Sequence, residues 1–154
     1  MNDANMNGFL FLVIERYNWP ADQAGNREFI LNFTNTIKSS MVNGAPGGVG
    51  IYTRYNDWSQ IVGGSWTGAS DMDLFWVNWN GRQDLTTGFT PFGGWSAPCF
   101  HQYAGNVVTN NCTGGAPINY DYHGDCVCQD AVCYNKFVEK RAMRFARHKL
   151  DQRH

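Results

Sequence analysis

The chain has 154 residues, of which 16% are charged and 15% aromatic, and 17 are glycines. This length allows one domain with a hydrophobic core, and the aromatic content excludes a disordered chain. The net charge of −1 hides an asymmetry, because residues 136–154 are strongly basic and the remainder is acidic. An acidic body gives no reason to expect nucleic acid as a partner. Only the basic segment would make weak contact with an anionic surface.

The first predicted element is a strand, because Phe11 to Ile14 form an apolar run that ends directly before Glu15. A solvated loop acid would fit that position. The alternative is a carboxylate at the carboxyl end of a barrel strand, where α/β barrels keep their catalytic groups.

A helix follows, because apolar residues recur at three- and four-residue spacing from Phe29 to Met41. It is predicted to open at Ala21 and to end before residues 43–48, which contain Asn-Gly and Pro-Gly-Gly. Residues 49–53 predict the second strand. A strand, a helix and a second strand in this order favour a parallel sheet, so the predicted fold class is α/β.

Three further strands are predicted at residues 73–79, 98–103 and 117–122, after a short helix at about 57–62. The later connections are loop-like. The chain is therefore expected to form about five parallel strands with few helices.

The last part of the chain has a different character. Residues 1–134 are predicted to form the domain, and residues 135–154 a basic amphipathic tail with Phe137, Phe145 and Leu150 on its apolar side. Such a tail would dock on the domain, lie on a membrane surface or fray in solution.

All five cysteines lie in the last third of the chain, at Cys99, Cys112, Cys126, Cys128 and Cys133. Disulfides formed in an oxidising compartment are the favoured interpretation, and the odd number leaves one cysteine over. A zinc site that includes His123 is the alternative, but the spacing of Cys126 and Cys128 is wrong for it. Glycosylation sequons at Asn32 and Asn111 agree with secretion. The apolar run Gly8 to Ile14 is too short for a signal peptide, and no stretch approaches transmembrane length.

Four stretches between residues 8 and 123 match one known pattern. They are Leu12-Val13-Ile14-Glu15 with Tyr17-Asn18-Trp19-Pro20, then Gly48 to Thr53 with Asn56-Asp57-Trp58, then Leu74 to Trp79, and Pro91-Phe92-Gly93-Gly94-Trp95 with His101-Gln102-Tyr103. Together they resemble the glycoside hydrolase family 25 (Chalaropsis-type) lysozymes of the animal and protist branch.

This resemblance implies an enzyme of bacterial cell-wall peptidoglycan that cuts the β-1,4 bond after N-acetylmuramic acid. It also implies an extracellular or lysosomal location, a role in antibacterial defence or digestion, and no metal or organic cofactor. The family fold is an irregular α/β barrel of eight strands. The first strands have no counterpart here, so we expect a partial TIM-like barrel.

The resemblance implies a catalytic glutamate and three aspartate positions, and the aspartate on the first strand has no counterpart in this chain. The candidate catalytic residues are therefore Glu15, Asn119 and Asp121. Glu15 takes the position of the general acid and base. Val13 and Asn119 stand where the family has aspartates, and Asp121 lies two positions beyond Asn119 on the same strand face. The substrate-binding residues that it implies are Tyr52, Trp76, Trp79, Gln102 and Tyr103.

Other interpretations remain open. The aromatic residues would also fit a core. The two missing carboxylates predict weakened or lost catalysis, because cleavage needs an acid and a second stabilising group. A peptidoglycan-binding protein that does not cut, or an incomplete barrel without independent function, are the alternatives.

Overall fold

The computed structural model describes residues 10–17, 19–41, 48–109 and 115–124. In chain order the elements are β1 (Leu10–Ile14), α1 (Gln23–Met41), β2 (Val49–Thr53), α2 (Tyr55–Trp58), β3 (Asp73–Val77), β4 (Phe100–Val108) and β5 (Pro117–His123). A π-helical turn, Ser59–Gly63, directly follows α2. The predicted tail, four of the five cysteines and the second sequon lie outside the described residues.

The strands form one sheet in the order β1-β2-β3-β4-β5, which confirms the α/β class. The pairs from β1 to β4 are parallel, as predicted. The prediction that β5 is also parallel is wrong, because β5 pairs with β4 in the antiparallel sense. Only residues 109–116 join these two strands. A parallel crossover needs a dozen or more residues, so this short connection permits only a hairpin-like return.

Helix α1 confirms the predicted helix but buries a different face. Asp22 caps its start, since Asp22 Oδ1 accepts hydrogen bonds from the backbone nitrogens of residues 24 and 25, both at 3.1 Å. Asn26 is buried and donates from Nδ2 to Pro20 O and Ile61 O, both at 2.9 Å. Phe29 is 53% exposed instead. The helix is thus fixed by a buried amide as well as by apolar contacts.

The hydrophobic core lies between α1 and the face of the sheet that carries Ile14, Ile51 and Leu74. Three tryptophans, Trp58, Trp66 and Trp95, pack together in or against this core. Trp58 contacts Trp66 and Trp95 with ring centroids 5.3 and 4.8 Å apart. Trp95 also donates from Nε1 to Met72 O at 2.7 Å, so its one polar atom is satisfied.

The opposite face of the sheet carries half-buried aromatic rings, and we call it the groove face. Phe11, Phe75 and Phe100 form a triangle with centroid separations of 5.2 to 5.4 Å. Gly50 permits this packing, because a methyl group at that position would collide with the Phe11 ring. Among the described residues β1 and β5 are the edges of the sheet, which does not close on itself. No helix within these ranges is long and apolar enough to cross a membrane.

Candidate active site

Three predicted substrate-binding residues meet where the groove face reaches the carboxyl ends of the parallel strands. Tyr52 on β2 donates its hydroxyl hydrogen to Gln102 Oε1 on β4 at 3.0 Å. Trp79, two residues after β3, donates from Nε1 to the same oxygen at 2.9 Å. Gln102 is 4% exposed. One buried amide oxygen therefore fixes both aromatic side chains.

Two carboxylates act on the Tyr52 phenol. The pKa of Tyr52 is raised above its usual value, mainly by burial and then by the negative charges of Glu15 and Asp121. The hydrogen bond to Gln102 has the opposite, smaller effect. Glu15 directly follows β1, and Asp121 pairs in register with Gln102. The strand order and register place Glu15, Tyr52, Gln102 and Asp121 at the same end of the groove face.

The indole of Trp79 lies over the backbone of β4. A methyl group built on Gly105 would collide with its six-membered ring, so glycine is needed at that position. Trp79 is nevertheless 53% exposed. A flat ring that is held from below and open on its other side can stack on the apolar face of a sugar.

The structure moves Trp76 from the predicted binding surface to the core. It is 5% exposed and stacks on His101 with ring centroids 4.2 Å apart, on the face of the sheet opposite Tyr52. His101 is fully buried. Its two ring nitrogens lie 2.6 Å from Asp84 O and 2.8 Å from Asn78 O. This pair of contacts ties the loop after β3 to β4.

Tyr103 and Asn119 form hydrogen bonds with residues other than Gln102. The Tyr103 hydroxyl accepts a hydrogen bond from Gln83 Nε2 at 3.0 Å, on the loop after β3. Asn119 Oδ1 accepts from the backbone nitrogen of Asn106 at 3.1 Å. Asn106 lies within β4, at the register shift between Ala104 and Val107, and has a φ of 56°, in the left-handed region, so Asn119 supports a strained position of this strand.

Val13 occupies the groove face without a polar function. It pairs in register with Tyr52 and is 49% exposed. Valine cannot supply the carboxylate that the resemblance implies at this position. Asp121 on β5 is the other carboxylate whose negative charge raises the pKa of Tyr52.

Asp57 was missed by sequence reasoning. Its side chain is fully buried and contacts two arginines, with Arg16 Nε 3.0 Å from Oδ1 and Arg54 Nε 2.6 Å from Oδ2. The Arg54 contact is a hydrogen bond, whereas the Arg16 contact is an ion pair without hydrogen-bond alignment. An acid in a short surface helix is usually solvated, so the sequence carries no signal for this cluster.

A separate apolar pocket of about 410 Å³ lies between the segment after β1 and helix α1. Its lining includes Tyr17, Trp19 and Phe29 but not Glu15. Among the described residues, no group of three or more His, Cys, Asp or Glu side chains could hold a metal ion.

Comparison with known proteins identifies the family. The model of the lysozyme-like protein 1 family matches residues 1–103. The chain therefore belongs to the lysozyme-like protein 1 family. Two relatives also confirm the resemblance to family 25 lysozymes. Lysozyme-like protein 5 of Caenorhabditis elegans is 40% identical over 111 residues, which are 72% of this chain and 48% of that protein. Probable GH family 25 lysozyme 4 of Dictyostelium discoideum is 37% identical over 113 residues, which are 73% and 49% of the two chains.

The chain thus spans about half the length of these relatives. Among solved structures, the muramidase from Trichobolus zukalii is similar with a TM-score of 0.48 and 20% sequence identity, over 77% of this chain and 52% of that one.

Proposed function

We propose that this chain acts on bacterial peptidoglycan as a slow muramidase and that Glu15 is its proton donor. The observation that carries the proposal is geometric: Glu15 directly follows β1, whose neighbour β2 carries Tyr52, and Asp121 pairs in register with Gln102, the hydrogen-bond acceptor of Tyr52. The family membership supports the substrate class. The bond cleaved is the β-1,4 bond after N-acetylmuramic acid.

Each residue has a distinct role in this proposal. Protonated Glu15 donates its proton to the leaving oxygen, and then, as a carboxylate, activates water. Asp121 stabilises the positive charge that develops on the sugar. Tyr52 and Trp79 hold the sugar rings, and Gln102 fixes both of them through one oxygen. The amide hydrogens of Asn119, whose Oδ1 accepts from the backbone nitrogen of Asn106, orient the substrate's acetamido group.

The turnover is expected to be slow. Val13 and Asn119 stand at two positions where the resemblance implies carboxylates. Losing a partner in acid–base catalysis usually costs roughly 10²- to 10⁴-fold in rate. Asp121 offsets part of this loss, since it pairs in register with Gln102, the residue that fixes Tyr52 in the groove.

We also infer that the sheet is part of an irregular TIM-like barrel. Its four parallel strands and the half-buried rings of Phe11, Phe75 and Phe100 are what the inner wall of such a barrel would present. The site would then lie at the carboxyl ends of the strands. The family also supports an extracellular or lysosomal site of action, in defence or digestion. The basic tail would add weak contact with anionic bacterial surfaces.

The test is the release of reducing ends from purified peptidoglycan. The chain should release them steadily, and Glu15→Gln should lower the rate at least a hundredfold, because the amide cannot donate the proton. Glu28→Gln is the matched control, since Glu28 is exposed on helix α1, and it should keep the full rate. Equal rates for the chain and Glu15→Gln would refute the role of Glu15.

A second candidate is a peptidoglycan-binding protein that does not cut. The exposed Val13 beside Tyr52 favours it, because an apolar side chain there can contact a sugar but cannot assist its cleavage. Sedimentation with insoluble peptidoglycan, combined with the release of reducing ends, distinguishes the two. If the protein only binds, the chain and Glu15→Gln will sediment with peptidoglycan to the same extent, and neither will release reducing ends.

A further inference from the structure

Two arginines with exposed ends flank the fully buried carboxylate of Asp57. The side chains of Arg16 and Arg54 are 54% and 50% exposed, whereas that of Asp57 is 0% exposed. Each arginine contacts Asp57 through Nε. One arginine would be enough to balance the buried charge, so the cluster carries one positive charge more than the compensation of Asp57 requires.

The outer ends of both guanidinium groups retain donors. An arginine has five N–H donors, and Nε accounts for one of them. The other contact of the Arg16 side chain is a long one, from Nη1 to Gln60 Oε1 at 3.4 Å. Within the described parts of the chain, the two terminal nitrogens of Arg54 have no hydrogen-bond partner. The contacts through Nε hold both side chains at Asp57, while about half of each side chain remains exposed.

This cluster adjoins the proposed active site. Arg16 is the residue after Glu15, and Arg54 is the residue after Thr53, the last residue of β2. Ile14 and Thr53 pair in register, so both arginines emerge at the same edge of the sheet. The positive charge of Arg54 also acts on the Tyr52 phenol, which Glu15 and Asp121 act on as well.

We propose that Arg16 and Arg54 bind a carboxylate carried by the glycan substrate, beside the bond that Glu15 cleaves, with Asp57 as their positioning residue. This inference rests on the proposed function and specifies its substrate class. In peptidoglycan the free carboxylates belong to the peptides attached to muramic acid, whereas chito-oligosaccharides have none. Guanidinium groups match carboxylates in geometry as well as charge, and side chains that are already held lose less entropy on binding.

The test is equilibrium binding of three soluble ligands. They are a disaccharide-peptide released from peptidoglycan, the same compound with its carboxylates converted to amides, and a neutral chito-oligosaccharide of matched length. We expect the chain to bind the carboxylate form about tenfold more tightly than the amide form, as for a charged hydrogen bond that is partly screened by water.

Arg54→Gln and Arg16→Gln should each reduce this preference to less than threefold and leave affinity for the neutral ligand unchanged. Lys38→Gln is the charge-matched control. Lys38 pairs with Asp71, which precedes β3 and thus lies near the opposite end of the strands, so this variant should keep the preference.

Equal affinity of the chain for the carboxylate and amide forms would overturn this inference. The inference would also be overturned if Arg54→Gln weakened the binding of all three ligands equally, because the arginines would then only support the fold. In both cases binding of the neutral ligand by the chain would leave the proposed function intact. If the chain binds none of the three ligands, the claim that the groove face binds glycan is refuted, and both proposals are refuted with it.

Discussion

The hydrogen bond from the Tyr52 hydroxyl to Gln102 Oε1, at 3.0 Å, connects β2 to β4 across the intervening strand β3. The same oxygen also accepts from Trp79 at 2.9 Å. Gln102 is therefore the common support of the two aromatic side chains in the proposed groove.

The first prediction concerns this shared acceptor. Gln102→Met keeps a similar volume but leaves both donors without their protein partner. We expect the free energy of unfolding to fall by about 1–2 kcal/mol, because two hydrogen bonds are lost and water replaces them only in part. Urea denaturation followed by tryptophan fluorescence measures this change. Gln60→Met, at an exposed position, is the control, and an equal change in both variants would count against a special role for Gln102.

The second prediction concerns the support of Trp79. Gly105→Ala should displace the indole, because the added methyl group collides with it. Affinity for a chito-oligosaccharide should then fall about three- to tenfold, the range expected for losing one aromatic contact. Gly64→Ala is the matched control, since a methyl group there meets its nearest atom, the Tyr55 hydroxyl, at 3.4 Å. Unchanged affinity in Gly105→Ala would mean that Trp79 does not contact the sugar.

The third prediction concerns the buried imidazole of His101. Its ring nitrogens contact Asp84 O and Asn78 O, and its plane stacks on Trp76. His101→Leu leaves two carbonyl oxygens without these contacts, so we expect a loss of about 2–4 kcal/mol in the free energy of unfolding. Thermal denaturation measures it. His123→Leu, at an exposed position, should lower the free energy of unfolding much less. Similar losses of unfolding free energy in the two variants would contradict the role of His101.

The fourth prediction is a pH dependence. Hydrogen bonds from Thr87 and Thr86 lower the pKa of Asp84 from 3.8 to about 2. A lowered folded-state pKa means that the carboxylate stabilises the fold above pH 3.8, and that this contribution is lost as the pH falls through about 2. Asp84→Asn should therefore be less stable than the original chain at pH 5.

Chemical denaturation at a series of pH values gives the test. The difference between the chain and Asp84→Asn should shrink between pH 3.8 and 2. Glu28→Gln, at an exposed position, controls for the general effect of removing a negative charge. A difference that stays constant over this range would show that the bonds to Thr86 and Thr87 do not stabilise the carboxylate.

Local sequence patterns were sufficient for most of the fold. The spacing of apolar residues predicted α1 and its two flanking strands, because a parallel β-α-β unit leaves a clear periodicity. The buried face of α1 was not predictable, since Asn26 and Thr34 are buried only because backbone oxygens accept their hydrogen bonds. The antiparallel sense of β5 could have been inferred from the short connection alone.

The site was only partly predictable. Glu15, Tyr52 and Gln102 could be proposed from the resemblance because they occupy motif positions, and Asp121 because it lies two positions beyond Asn119 on the same strand face. The sequence alone does not show that Trp76 lies in the core while Trp79 lies at the groove. The strand register decides this, because it fixes the face of the sheet that each strand residue occupies. The Asp57 cluster depends on residues that are distant in the sequence, and its burial is a property of the folded chain alone.

The most direct test of the central claim is the identity of the new reducing end. Peptidoglycan is digested with the chain, reduced with borohydride, hydrolysed and examined by mass spectrometry for the reduced sugar. The account predicts N-acetylmuramic acid in its reduced form, produced by the chain and by Glu28→Gln but not by Glu15→Gln. Reduced N-acetylglucosamine, or no reduced sugar above the Glu15→Gln background, would contradict it.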